Sequence, residues 1–172
     1  MPRSAIFLAK FFLLAAGLFG LWSFAGLGDA YSRLIITVAN PFVWAVTGFS
    51  VASVVPTVRG LDVFIRHGSE EVLLPLQPRE LFSGVLPFLA LMGASSGLSA
   101  ARRLGAVAIG LAVLFLFHIG LMFIGPYLAT AHEAWVNTII DIVYGFYGLV
   151  GYAALPFLLW FWLTQRISPR AS

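Results

Sequence analysis

Pro78-Arg79-Glu80-Leu81-Phe82-Ser83-Gly84-Val85-Leu86-Pro87-Phe88-Leu89-Ala90-Leu91-Met92-Gly93-Ala94 is the stretch where the chain changes character. The sizeable polar segment, Thr57 to Glu80, stops here and a mostly apolar run begins. If the protein has a working site, the entry of this run is a natural place for it, because polar side chains there meet an apolar boundary. Apolar runs of similar kind recur on both sides. With 60% hydrophobic residues, 10% charged residues and a mean hydropathy of +0.97, the chain lies outside the range of soluble globular domains. Backbone polar groups in lipid must be satisfied within a segment, so recurring apolar runs predict a polytopic bundle of membrane helices.

The 172 residues predict a single integral membrane domain, 1–172, with 57–80 as a polar segment outside the bilayer. The net charge of +3 is no nucleic-acid signature, because Lys and Arg sit mainly at the ends of apolar runs rather than on one basic face. Cysteine is absent, which excludes disulfides, thiolate metal sites and a thiol nucleophile.

The first apolar run, Ala5 to Leu27, is longer than a signal-peptide core and is followed by no clear small-x-small cleavage site. It is expected to be a retained helix, with Lys10 snorkelling to the near interface. The second, Leu34 to Val55, is interrupted by Asn40-Pro41 and carries Thr37, Asn40, Thr47, Ser50 and Ser53 at roughly helical spacing. Such a polar stripe suits an interfacial helix, a re-entrant segment or a span facing a bundle interior. Within the polar segment, Leu61 to Ile65 and Glu71 to Leu76 predict two short strands turning at His67-Gly68-Ser69. The third run, Phe82 to Leu98, contains Gly93-x-x-x-Gly97, a close-packing pattern for helices in lipid. The fourth, Leu104 to Leu128, holds His118 near its middle. A short loop, Ala129 to Ala134, carries His132 and Glu133. The fifth, Trp135 to Leu163, contains Asp141 and the series Gly145, Gly148, Gly151 before a Trp160/Trp162 belt.

Lys and Arg near span ends set orientation. Arg3 and Lys10, Arg102-Arg103 and the Arg166/Arg170 tail place the N-terminus, the turn before the fourth run and the C-terminus in the cytoplasm. Parity then keeps the second run from crossing. The expected fold is all-α, with about four transmembrane helices plus one interfacial or re-entrant helix and a small hairpin on the outer face. The expected location is a prokaryotic inner membrane.

Three sets of residues could carry chemistry. Ser83 at a tight helix entry could be a nucleophile with His132 as its base and Arg79 nearby, since serine needs a base within hydrogen-bond reach; serine at a helix start is equally an N-cap. His118 could ligate haem or chlorophyll, carry a proton, or simply find a partner inside the bundle. Asp141 fits a structural pairing near the outer interface. The glycines Gly93, Gly97, Gly145, Gly148 and Gly151 fit close contacts with other membrane proteins.

The order of elements also resembles the short members of the exosortase/archaeosortase family. An initial span and an amphipathic helix lead to a short outer segment ending in Phe82-Ser83-Gly84-Val85, similar to the family's Cys-Ser-Gly-Val. The Ala101-Arg102-Arg103-Leu104 turn and the loop His132 have counterparts as well, over roughly Tyr31 to Trp162. The resemblance implies a membrane-embedded transpeptidase architecture. However, the family's cysteine falls on Phe82 and its helix arginine near His118, so thiol acyl transfer is impossible at that position. What it implies is therefore a degenerate relative, a non-catalytic accessory or assembly subunit of a larger membrane complex. The rival expectations are a peptidase using Ser83 and His132, and a pigment, haem or proton-carrying subunit using His118.

Overall fold

The computed structural model describes residues 3–57, 60–74, 83–130 and 148–167, together with positions 138, 142, 145 and 146. Helix α1 (Arg3–Phe24) ends where Gly26 takes a left-handed conformation, φ 74°. Helix α2 follows at once (Leu27–Thr47), with Pro41 inside it. Its buried residues Ser32, Ile35, Ile36, Ala39 and Val43 recur every three or four positions, the spacing of a single packed face. Gly48, at φ 75°, stops it by returning its N–H to the Trp44 carbonyl, a turn that a residue with a Cβ adopts only at a cost.

Three antiparallel strands come next: β1 (Ser50–Thr57), β2 (Gly60–His67) and β3 (Glu70–Leu74), in that spatial order. Strand β1 pairs with β2 from Ser50↔Arg66 to Thr57↔Gly60, with a bulge between Val51 and Ser53. Strands β2 and β3 meet at His67↔Glu70. The turn between them is Gly68-Ser69, with Gly68 at φ 62°, the conformation that a tight two-residue hairpin asks of glycine. Leu61, Val63 and Ile65 alternate inward on β2 and are buried, while Arg66 stays exposed.

Helix α3 (Val85–Ala94) is only 10 residues long, α4 (Ala100–Thr130) is 31, and a π-helical turn (Val150–Ala154) runs into α5 (Leu155–Ile167). Ser99 caps α4, its Oγ accepting from the Arg102 N–H at 3.5 Å. Two cores hold these elements together. One joins Trp22 of α1, Ile35, Ile36 and Ala39 of α2, Val63 and Ile65 of the sheet, and Leu121 and Met122 of α4. The other joins Val85, Phe88 and Met92 of α3, Ala106 and Leu114 of α4, and Leu163 of α5.

This architecture corrects the sequence expectation. The protein is helical with a three-stranded sheet, not all-α. Among the described residues two helices, Ser4–Phe24 and Ala100–Phe123, are long and apolar enough to cross a membrane, in place of about four. The second apolar run does not continue to Val55, because Gly48 ends the helix and the β-branched, serine-containing stretch beyond it joins the expected hairpin as a third strand. The third run is cut at Ser95-Ser96-Gly97, where Gly97 sits at φ 88°. The remaining helix rises about 15 Å at 1.5 Å per residue, half the hydrocarbon thickness. In the fifth run, α5 itself has 13 residues.

Candidate functional site

His118 of α4 is fully buried in the helical bundle, with 0% of its surface exposed, as is Ser32 of α2. It arrives there because α4 turns Leu114, His118, Leu121 and Met122 inward, three or four residues apart. Helix α2 brings Tyr31 against it. The Tyr31 hydroxyl lies 3.0 Å from His118 Nδ1 and donates to it when the ring proton sits on Nε2. The two rings meet edge to face, with centroids 5.8 Å apart and an interplanar angle of 84°. Tyr31 also touches Trp22 of α1 at 5.6 Å and Phe115 of α4 at 6.4 Å. One tyrosine thus joins three helices through aromatic contacts and a polar contact with His118.

Beside this cluster an apolar groove of about 360 Å³ opens between α1, α2 and α3, lined by Leu18, Trp22, Tyr31, Leu34, Leu86 and Leu89 among others. On the far side of α4, Gly151 in the π-helical turn lies so close to Phe117 that a Cβ would overlap its ring. The neighbour of His118 is therefore locked as well. A macrocycle approaching His118 would have to displace this packing of Tyr31, Phe115 and Phe117 around it. Among the described residues no group of three or more His, Cys, Asp or Glu could hold a metal ion.

Ser83 lies in the turn before α3, 7% exposed, and its carbonyl accepts the Leu86 N–H at 2.9 Å. It is not the side-chain cap of α3, whose N-cap is Gly84 with no side-chain bond. His132, Glu133, Arg79, Phe82 and Asp141, and with them the Ser83–His132–Arg79 grouping, lie outside the described residues. Of the glycines, Gly93 faces α1, where a Cβ would lie 2.8 Å from the Leu14 Cδ1, and Gly151 faces Phe117. Gly97 lies beyond the end of α3, so Gly93 and Gly97 do not form one helical face. Gly145 and Gly148 have open space around them. A further glycine, Gly110, admits the Phe88 ring of α3 against α4.

At the other end of the bundle, Ser95 gathers several bonds. Its Oγ donates to the Leu91 carbonyl at 2.8 Å and accepts the Trp160 Nε1–H at 2.7 Å, and its carbonyl accepts from Arg103 Nη2 at 2.7 Å. Sequence reasoning selected His118 but not Tyr31 or this serine–tryptophan–arginine junction. The available signal was general: a lone histidine in a long apolar run calls for a polar partner, and Tyr31 is a tyrosine in the apolar helix α2. Its pairing across 87 positions leaves no local trace. No protein-family model, curated protein or solved structure matches the chain. The class defined by the fold is a mixed helical and β protein with, among the described residues, two helices long and apolar enough to cross a membrane.

Proposed function

We propose that the chain is a non-catalytic integral membrane subunit that assembles with other membrane proteins. It is held by α1 and α4 in a prokaryotic inner membrane, with its N-terminus on the cytoplasmic side. The observation that carries this reading is the surface of α1. Its apolar window has 0% of its residues buried within the chain, and Phe12, Leu13 and Phe19 are 65%, 76% and 57% exposed. A continuous apolar face of this kind has to be covered by lipid or by another protein. The placement of charge supports the orientation. Arg103 and the sheet-facing Leu121 and Met122 stand about 27 Å apart along α4 at 1.5 Å per residue, close to the ~30 Å of hydrocarbon.

Phe7 of α1 lies beside the Ser95–Leu98 turn before α4, so both helices start at the arginine end and run toward the sheet. This agrees with cytoplasmic positive charge, an orientation in which the sheet would face outward. The likeness to exosortases belongs to the same reading. In sequence, Phe82-Ser83-Gly84-Val85 leads into α3 and Arg102-Arg103 into α4, resembling that family, while the nucleophile is missing. The burial of Ser83 and the packing of His118 favour assembly over catalysis or pigment binding.

Gly148, where a Cβ would meet nothing within 4 Å, is the position at which a partner helix can come close. The test is tagged purification from the native membrane in mild detergent, for wild type and Gly148→Leu. A stoichiometric partner set lost in the variant, with its melting unchanged, is the expected result. A wild-type protein that purifies alone, or the same partners with Gly148→Leu, would sink the proposal.

A further inference from the structure

Four helix ends converge at the arginine end of the bundle: the start of α1, the end of α3, the start of α4 and the end of α5. Between them lies a cleft of about 270 Å³ lined by Phe7, Ser95, Ser96, Gly97, Trp160 and Thr164, among others. Its wall is built rather than incidental. The Trp160 indole donates to Ser95 Oγ at 2.7 Å and stacks near Phe7, with ring centroids 5.8 Å apart. Arg103 reaches the same serine through Nη2. Its Nε–H is buried and has no hydrogen-bond acceptor among the described residues. The ion pair of Arg66 and Glu71 belongs to the sheet.

The sequence deepens this imbalance. In sequence, the seven Asp and Glu side chains, Asp29, Asp62, Glu70, Glu71, Glu80, Glu133 and Asp141, all fall outside 1–28, 81–132 and 142–172. Arg103 does not line the cleft itself but stands behind its wall, bonded to the Ser95 carbonyl; a half-buried guanidinium there, with no acid near it in sequence, calls for an anion from outside. The cleft's flanks are apolar and open: Leu8, Phe161 and Trp162 are 51%, 53% and 48% exposed. An anion carrying hydrocarbon chains fits that surround, and tryptophan at this level suits the bilayer interface.

We infer that this cleft binds the phosphate of an anionic phospholipid headgroup, with Arg103 as its cation, Ser96 and Thr164 at its mouth and the acyl chains along the exposed flank of α5. The inference rests on the membrane reading above. Basic pockets between helices on the cytoplasmic side are where such headgroups are recognised.

The full chain in mild detergent is titrated separately with phosphatidylglycerol, phosphatidylcholine and inorganic phosphate and read by native mass spectrometry, for wild type, Ser96→Trp and Arg103→Gln. Ser96 is exposed, so tryptophan there fills the cleft mouth without disturbing the core, whereas Arg103→Gln removes the charge. The expected result is a preference of about tenfold for phosphatidylglycerol over phosphatidylcholine, lost in both variants. Equal binding of the two lipids, or wild-type binding by Ser96→Trp, overturns the inference. Inorganic phosphate bound as tightly as phosphatidylglycerol would mean a free-anion site and overturns the lipid assignment. Alkaline carbonate extraction separates the two levels: release of the chain into the soluble fraction removes the membrane reading itself, whereas retention with no lipid preference removes this inference alone.

Discussion

The Tyr31 hydroxyl and His118 Nδ1, 3.0 Å apart, form a polar contact between two helices, beside the aromatic contacts of Tyr31 with Trp22 and Phe115. In an apolar surround such a bond is costly to leave half made, because the remaining group keeps its desolvation penalty. The pair thereby fixes which face of α2 meets α4.

Tyr31→Phe keeps the ring and its contacts with Trp22 and Phe115 and removes only the hydroxyl. It is expected to destabilise the protein by about 1–3 kcal/mol. In the His118→Leu background the same change should cost much less, since the acceptor is gone. A double-mutant cycle by thermal melting in detergent measures the difference. Additive effects would mean the two side chains are merely adjacent.

Glycines in these helices divide by what surrounds them, which gives a contrast between positions of equal chemistry. At Gly110 a Cβ would enter the Phe88 ring, so Gly110→Ala should cost about 1–3 kcal/mol through overpacking between α3 and α4. At Gly148 nothing lies within 4 Å, and Gly148→Ala should leave the melting temperature of the isolated chain unchanged or slightly higher, as alanine favours helix. Equal melting losses at both positions would contradict the packing described for α3 on α4.

Much of this arrangement is legible in the sequence where a signal is local. The first helix, the long apolar helix around His118 and the turn at Gly68 all follow from hydropathy and turn chemistry. The departures arise where hydropathy masks punctuation. Gly48 after Thr47 is a helix stop, and the Val51, Val54 and Val55 that follow are strand formers, yet their apolarity makes them read as one span with α2. Ser95-Ser96-Gly97 likewise ends α3, although Phe82 to Leu98 has a length that could span. The site divides in the same way. His118 is conspicuous as a lone imidazole in an apolar run, whereas Tyr31 and the Ser95–Trp160–Arg103 junction are products of tertiary folding.

Asn40, which reads in the sequence as part of a polar helix stripe, has a more specific place. Its Oδ1 accepts the Val51 N–H at 2.8 Å, satisfying a donor on the first strand just before the bulge and tying α2 to the sheet. Asn40→Leu should lower stability by about 1–2 kcal/mol and speed amide exchange at Val51 and its neighbours on β1 more than in α4. Uniform exchange acceleration across the chain would mean that Asn40 supports the global fold rather than this junction.

The absence of cysteine makes the orientation directly measurable with single introduced thiols. Ser53 on the sheet bonds at the surface to Glu71 Oε1 at 3.5 Å, and Ser96 is exposed at the arginine end. The two sites lie at opposite ends of α4, separated by a stretch about as long as the hydrocarbon core is thick. In intact cells a membrane-impermeant maleimide should label Ser53→Cys and leave Ser96→Cys unlabelled until the membrane is permeabilised. The reverse pattern would put the arginines outside, against the usual excess of positive charge in the cytoplasm, and would invert the orientation while keeping α4 as a span. Labelling of both sites before permeabilisation would remove α4 from the membrane altogether, because no barrier would then lie between the sheet and the arginine end.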